Sequence, residues 1–332
     1  MREGYRERTE EIERQTLSPR AQWVQDSRGR EMPEAPDPIR TLWQEDRDRV
    51  LHSKPFRRLA HKTQVFLAPE GDHYRVRLTH TLEVTQVART IARALRLNED
   101  LVEAICLGHD LGHTPFGHLG EEIVAEFQPG FRHNLQSVRI VEVLEPMNLT
   151  REVRDGIANH TWSMDMPTTL EGQIARYADR IAYINHDIED AIRAGILEEK
   201  DLPEATRSVL GVGKAQRIAT MVNDIVDASH RGSEIHMSDD VMDAMGVTRD
   251  FMFERVYLGL VAASTREAVH RVVGKLLEHF SQAGVPEDLG TPGEDAQVSA
   301  VDYVSGMTDR FAIKTFESVV GAPPPDLTAG LG

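Results

Sequence analysis

The sequence predicts an all-α protein. Three observations carry that expectation. Apolar residues recur at three- and four-residue spacing through most of the chain, no run alternates apolar and polar residues as a half-buried strand would, and short Gly-, Pro- and Asp-rich segments separate the periodic stretches. In chain order, residues 1–17 are a charged, helix-compatible lead. Ser18–Pro38 collects prolines, Gly29 and mixed charge without an apolar period, so residues 1–40 read as a charged lead and a loop. From Thr41 to Phe66 basic residues concentrate, interrupted by Pro55.

His80–Leu95 reads as a helix because His80, Val84, Val87, Ala88, Ile91 and Leu95 share one face, which turns His80 toward the core. Leu101–Leu111 does the same for Val102, Ile105 and His109. Gly112, Pro115 and Gly117 break the pattern, and a new helix is expected near His118 with Glu121 three residues on. Further helices are expected at Asn134–Leu144, Arg151–Asn159 and Gly172–Ala194. The last has Ile174, Ala178, Ile181, Ile188 and Ile192 as its stripe, with Asp179, Tyr183 and Asp187 beside it. Helical runs around Ala215–Ala228, Phe251–Phe280 and Tyr303–Val320 follow, and the Gly- and Pro-rich segment 321–332 reads as a disordered tail. The expected organisation is a core over 41–200 and a C-terminal helical region over 201–320 packed on it.

A chain of 332 residues that is 40% hydrophobic can bury a substantial core. Its net charge of −16 argues against a broad electrostatic footprint for duplex nucleic acid, so an anionic substrate must be met by a local basic pocket. A single cysteine, Cys106, excludes an intramolecular disulfide and reads as a small core residue. No stretch approaches the roughly 18 apolar residues of a bilayer span and the start of the chain has no apolar leader, so the expected location is cytoplasmic.

The chemistry concentrates in Gly108–His109–Asp110–Leu111–Gly112–His113–Thr114–Pro115–Phe116–Gly117–His118. Three histidines and an aspartate stand there in a glycine-punctuated turn. An adjacent His–Asp pair closing a buried helix, with an inward histidine upstream and an inward aspartate downstream, offers nitrogen and oxygen ligands suited to a divalent transition metal. Taken alone, the His109–Asp110 pair or a lone His80 is weak; a core histidine or a solvated helix end would be the commoner meaning. Trp43 and Trp162 read more readily as core-edge residues than as base-stacking platforms.

As an ordered set, RDRVLHSKPFRRLAHKTQVF at 47–66, RLTHTLE at 77–83, GHDLGHTPFGHLGE at 108–121, the segment 171–190 and DYVSGMTDR at 302–310 resemble the HD-domain superfamily, and within it the deoxyguanosinetriphosphate triphosphohydrolase-like proteins. The resemblance covers most of residues 45–195, with a shorter match near the C-terminus. It implies a multi-helix HD-domain fold with additional C-terminal helices. It also implies one divalent metal ion (Mn, Mg, Fe, Co, Ni or Zn) on His80, His109, Asp110 and Asp179, and cleavage of deoxynucleoside triphosphates to deoxynucleoside and inorganic triphosphate.

By the same resemblance His118 matches the catalytic histidine and Glu121 the carboxylate that pairs with it. His113 matches a phosphate contact, Arg77 a nucleotide-pocket arginine, Arg180 a triphosphate contact, and Tyr183 and Asp187 sugar contacts. Gln64 matches a position facing the 3′-hydroxyl, with Val65 beside it. His133 lies where either a phosphate contact or plain loop structure is expected. His160 and the 302–310 signature receive no role. A homo-oligomer and an activator nucleotide accord with the family, and the membrane is not an expected partner. Two other readings stay open: an HD-type phosphodiesterase or nucleotidase, in which His133 or His160 would help hold a second metal, and a nucleotide-binding regulator that has lost turnover.

Overall fold

The computed structural model describes residues 4–64, 75–257, 263–324 and 327, and among these every regular element is helical. An isolated bridge between Thr63 and Val76 is the sole β-type pairing among the described residues. Val65 and Phe66 of the basic block lie outside the described residues. So does most of the 321–332 tail, of which Leu327 is described and buried.

The chain divides into two compact units whose segments interleave: Met1–His52, His80–His109 and Met147–Leu260 in the first, Ser53–Thr79, Asp110–Pro146 and Val261–Gly332 in the second. The expected boundaries at 40/41 and 200/201 follow chain order and coincide with none of these joins.

In the first unit, helices α1 (Tyr5–Thr16) and α2 (Leu42–His52) precede α4 (Arg77–Leu95) and α5 (Glu99–Gly108); the short α3 (Lys54–Arg58) and the first turn of α4 belong to the second unit. Asn98 starts α5: its side chain accepts the N–H groups of Asp100 and Leu101, a cap worth about 1 kcal/mol. Helix α5 is buried from Leu101 to Gly108 except at Glu103, and packs on α2, α8 (Arg151–Asn159) and α9 (Leu170–Arg193).

Helices α5 and α8 meet at reciprocal glycines. A Cβ on Gly108 would stand 2.5 Å from Ile157, and one on Gly156 would stand 2.6 Å from Ile105, so each isoleucine fills the space its partner's glycine leaves. Buried Glu171, at the start of α9, accepts the N–H groups of Gln22 and Asn98, each at 3.0 Å, and so ties the lead segment and the α5 cap to α9. Burial pushes its pKa up to about 7. Helices α10 (Lys214–Ser229) and α11 (Asp239–Met252) complete the unit against α9.

The second unit is organised on α12 (Ala263–Ala283), which packs against α6 (Gly117–Phe127), α13 (Ala296–Ser305) and α14 (Asp309–Val319). Val272, Leu276, Val124, Val304 and Phe316 lie in that core, as does Leu327. The remaining helix, α7 (His133–Arg139), begins at His133.

Helix α8 matches its expected bounds at Arg151–Asn159. Three of the other expected runs are divided. The run at 134–144 is α7 followed by a π-helical turn, Ile140–Leu144. Instead of one helix over 251–280 there is α11, not foreseen, which passes into a π-helical turn at Phe253–Tyr257, and then α12; residues 258–262 lie outside the described residues. The 303–320 run breaks at Gly306–Thr308 because the Thr308 side chain accepts the N–H of Phe311 and starts α14 afresh.

Candidate active site

Two histidines of the first unit face Asp179. His80, near the start of α4, holds Nε2 3.1 Å from Asp179 Oδ1. His109, the residue that caps the C-terminus of α5, holds Nε2 3.8 Å from the same oxygen. His109 donates its Nδ1 hydrogen to the carbonyl of Cys106 at 2.6 Å, which satisfies one of the orphan carbonyls of the helix end and leaves Nε2 with its lone pair.

His160 repeats the device at the C-terminal cap of α8. Its Nδ1 lies 2.8 Å from the Ile157 carbonyl, and its ring meets that of His109 edge-on with centroids 5.0 Å apart. Burial acts to raise the pKa of Asp179, but the adjacent imidazoles of His80, His109 and His160 outweigh it and hold the carboxyl well below its ordinary range. A nitrogen lone pair directed at a carboxylate oxygen is repulsive unless a cation lies between them, so this donor set fits a divalent metal. Asp110 follows His109 by one peptide bond.

Further along α9, Arg180 lies over the Trp162 ring with its guanidinium carbon 4.9 Å from the centroid, and burial lowers its pKa. Asp187 is fully buried and Tyr183 half-buried on the same helix. Trp43 is a core residue.

The second unit gathers a different set. Arg77 donates to Asp110 at 2.7 Å, both buried, while Nε and the second terminal nitrogen of Arg77 have no hydrogen-bond partner among the described residues. The rings of His113 and His133 stack at 4.6 Å and 17°. Glu121 accepts the backbone N–H of His133 at 2.8 Å and lies 2.8 and 3.0 Å from its Nδ1. The nearest carboxylate oxygen of Glu121 is 3.9 Å from His118 Nδ1 and 3.8 Å from His113 Nε2. The carboxylate expected to pair with His118 stands within ion-pair distance of it and accepts its hydrogen bonds from His133, because α7 brings that backbone and ring directly onto it.

The charges follow. Burial and the nearby Arg77 push His113 well below the ordinary histidine range. His118 has about half its side chain open to solvent (53%), yet the protein around it and Arg77 lower its pKa to about 4 against the pull of Glu121. For His133 burial acts downward, but the Glu121 charge and hydrogen bond prevail and raise it. Burial likewise opposes ionisation of Glu121, and the His133 contacts overcome it, holding the pKa at about 2. Gln64 is buried, and its side-chain oxygen has no hydrogen-bond partner among the described residues.

Sequence reasoning left the 302–310 signature without a role; its two aspartates are clamps. Asp302 accepts from Gln136 at 2.8 Å and from Arg139 at 2.7 and 2.8 Å, fixing α7. Asp309, at the start of α14, accepts the N–H of Phe116 at 3.0 Å and the N–H of Thr63 at 3.1 Å, as well as the Thr63 hydroxyl. One carboxylate thus holds both the segment that carries Gln64 and the turn that launches α6 and His118. Phe116 needs that support, since its backbone is left-handed at φ 63°. Lys62, also unassigned, is buried with Nζ on the carbonyls of His113 and Ser305, and burial lowers its pKa to about 7. The signal for Asp309 was its place one residue after a Thr N-cap; for His160 it was the Asn159–His160 helix end, which mirrors Gly108–His109.

The model of the HD domain matches residues 77–184, and that of the phosphohydrolase-associated domain matches 235–318. A "deoxyguanosinetriphosphate triphosphohydrolase-like protein" of Caldanaerobacter subterraneus subsp. tengcongensis is 51% identical over 95% of both chains. One of Clostridium perfringens is 45% identical over 95% of this chain and 97% of its own. Among solved structures, a hypothetical protein of Aquifex aeolicus aligns with a TM-score of 0.53 at 20% identity, covering 83% of this chain and 71% of that one. A phosphohydrolase of Bacteroides thetaiotaomicron aligns with a TM-score of 0.52 at 17% identity, covering 85% and 70%. These two speak to the fold, which is all-α as expected. Among the described residues no helix is long and apolar enough to cross a membrane. Identity of this extent over nearly the whole of both chains places the protein in a family: it belongs to the deoxyguanosinetriphosphate triphosphohydrolase-like proteins of the HD-domain phosphohydrolases.

Proposed function

We propose that the protein hydrolyses deoxynucleoside triphosphates to the deoxynucleoside and inorganic triphosphate, with a divalent metal held by His80, His109, Asp179 and Asp110. The observation that carries this reading is the approach of His80 and His109 Nε2 to Asp179 Oδ1, in a chain 51% identical to a relative bearing a triphosphohydrolase name. When bound, the metal supplies Lewis acidity toward a phosphoryl oxygen and a water.

The other work falls to the chain's own groups. Arg77, anchored through one nitrogen on Asp110, keeps further N–H donors for the triphosphate oxygens. A His118 with its pKa lowered to about 4 is neutral at physiological pH, so it can take a proton from an attacking water and then pass that proton to the leaving 5′-oxygen. Glu121 raises the pKa of His133 and so favours the cationic ring beside a phosphate. His113 is a neutral hydrogen-bonding contact to phosphate, and Arg180 a second guanidinium toward the triphosphate. Tyr183 and Asp187 take the sugar, and Gln64 packs against its 3′ side, where it disfavours a 2′-hydroxyl.

The test is to incubate metal-supplemented protein with each deoxynucleoside triphosphate, singly and in pairs, and to identify the products chromatographically. Deoxynucleoside with inorganic triphosphate is the expected pair. Monophosphate, pyrophosphate or orthophosphate would instead favour the phosphodiesterase or nucleotidase reading. Rate gains in the paired incubations would reveal an activator nucleotide, and the protein's mass in solution would reveal a homo-oligomer.

A further inference from the structure

We propose that His186 is a positioning residue that determines which nitrogen of His80 is offered to the metal; the proposal rests on the reading that His80 is a ligand. His186 lies on α9, seven residues past Asp179, and is buried. Its Nδ1 is 3.4 Å from Nδ1 of His80, with the two rings nearly perpendicular at 88°. Its Nε2 is 2.7 Å from a carboxylate oxygen of Glu83 on α4.

The hydrogens follow from these partners. A carboxylate only accepts, so Nε2 of His186 carries a hydrogen and, in the neutral ring, Nδ1 is an acceptor. His80 then donates from Nδ1, and its Nε2, 3.1 Å from Asp179, keeps the lone pair. The order Glu83, His186, His80 thus specifies the tautomer in which Nε2 binds the ion. Lys214, the first residue of α10, lies 3.6 Å from Glu83 and 3.1 Å from Glu189, and holds the outer carboxylate in place.

Helix polarity explains why His80 needs such a partner when His109 and His160 do not. Those two cap the C-termini of their helices, where unpaired carbonyls accept their Nδ1 hydrogens. His80 lies in the opening of α4, and a helical side chain leans toward the N-terminus, where the orphan backbone groups are N–H donors. Its acceptor has to come from another helix, and α9 supplies it seven residues from the aspartate that faces the same ring.

The test is the affinity of metal-stripped protein for Co²⁺, measured against a chromophoric chelator, for wild type, His186→Leu, His186→Gln and Glu83→Ala. His186→Leu should bind about 10- to 100-fold more weakly, the usual consequence of losing a partner of a metal-bound histidine. His186→Gln, whose amide oxygen can accept the His80 hydrogen, should stay within a few-fold of wild type, and Glu83→Ala should fall between them. Wild-type affinity in His186→Leu, or equal losses in the Leu and Gln variants, overturns the proposal. Thermal melts of the metal-free variants report folding; if His186→Leu does not fold, unchanged affinity in the partly exposed Glu83→Ala overturns it instead. A wild-type protein that bound no metal would remove the metal reading as well, whereas equal binding by all four proteins removes this proposal alone.

Discussion

The two units each hold a cluster of histidines, and they use the residue in opposite ways. In the first, His109 and His160 turn Nδ1 into the carbonyls of their own helix ends, and His80 turns Nδ1 toward another helix. His109 Nε2, which faces Asp179, is thereby left as an acceptor. In the second, His113 and His133 stack on each other beside Arg77; Glu121 raises the pKa of His133, while burial and Arg77 lower those of His113 and His118. Residue type does not distinguish a ligand set from a set for protons and phosphate. What each Nδ1 faces, and which charges stand beside the ring, does.

The largest effect that would break this comparison is a loss of metal from the wrong cluster. His109→Ala should abolish turnover and weaken metal binding by more than about 100-fold, beyond the loss expected for a supporting partner. His133→Ala should leave metal content unchanged. Metal analysis of the two purified variants decides the matter, and equal depletion would mean that both clusters hold ions.

Next in size is the chemical step. His118→Ala should keep its metal and lose about 10²- to 10⁴-fold in kcat, the range for a general acid–base group. The geometry adds a sharper expectation about Glu121: in double-mutant cycles on kcat, Glu121→Gln should couple more strongly to His133→Asn, across 2.8 Å, than to His118→Ala, across 3.9 Å. The opposite order would restore the pairing expected from the sequence.

A smaller change is expected at the sugar. Gln64→Ala should lower the deoxy-to-ribo ratio of kcat/KM about tenfold, in the range of a single pocket contact. Asp309→Asn should lower the same ratio less, while also reducing kcat, because it acts on both Thr63 and Phe116. An unchanged ratio in both variants would take this wall of the pocket out of sugar selection.

The smallest effect concerns stability against pH, where the units again differ in sign. Glu171 in the first has its folded pKa raised from 4.5 to about 7. Its contribution is fully present below pH 4.5 and is lost as pH rises through 7. Lys62 in the second has its folded pKa lowered from 10.5 to about 7, so its contribution is present above 10.5 and is lost as pH falls toward 7. Glu171→Gln should thus flatten a decline in Tm of a few degrees between pH 5 and 7.5, and Lys62→Met a rise of similar size between pH 7.5 and 10. Melts across both windows read the two slopes separately.

Much of this was legible before any coordinates. The stripe from His80 to Leu95 and the Gly108–His118 turn pointed to buried histidines, and the buried His80 and His109 lie where that periodicity directs them. Helix breaks were less legible. The 303–320 run kept its apolar period through Gly306, and the break rests on a single Thr308 side-chain cap that competes with helix continuation. A further partner of Glu121 was not legible, for a related reason. Three-residue spacing brings His118 near it, but the hydrogen bonds went to a histidine twelve residues away on another helix.

By itself, then, the sequence determined the helical class, the residue types of the site and the order in which they enter the chain, because amphipathic period and glycine punctuation are local properties of the backbone. Tertiary structure alone decided that Asp302 and Asp309 serve as clamps, that His160 and His186 stand beside His109 and His80, and which nitrogen of each ring is presented. The clamps and the His80–His186 contact join partners more than a hundred residues apart, whereas His109 and His160 meet carbonyls three residues back on their own helices. An imidazole or carboxylate carries no mark in the sequence of which acceptor or donor it will meet once desolvated.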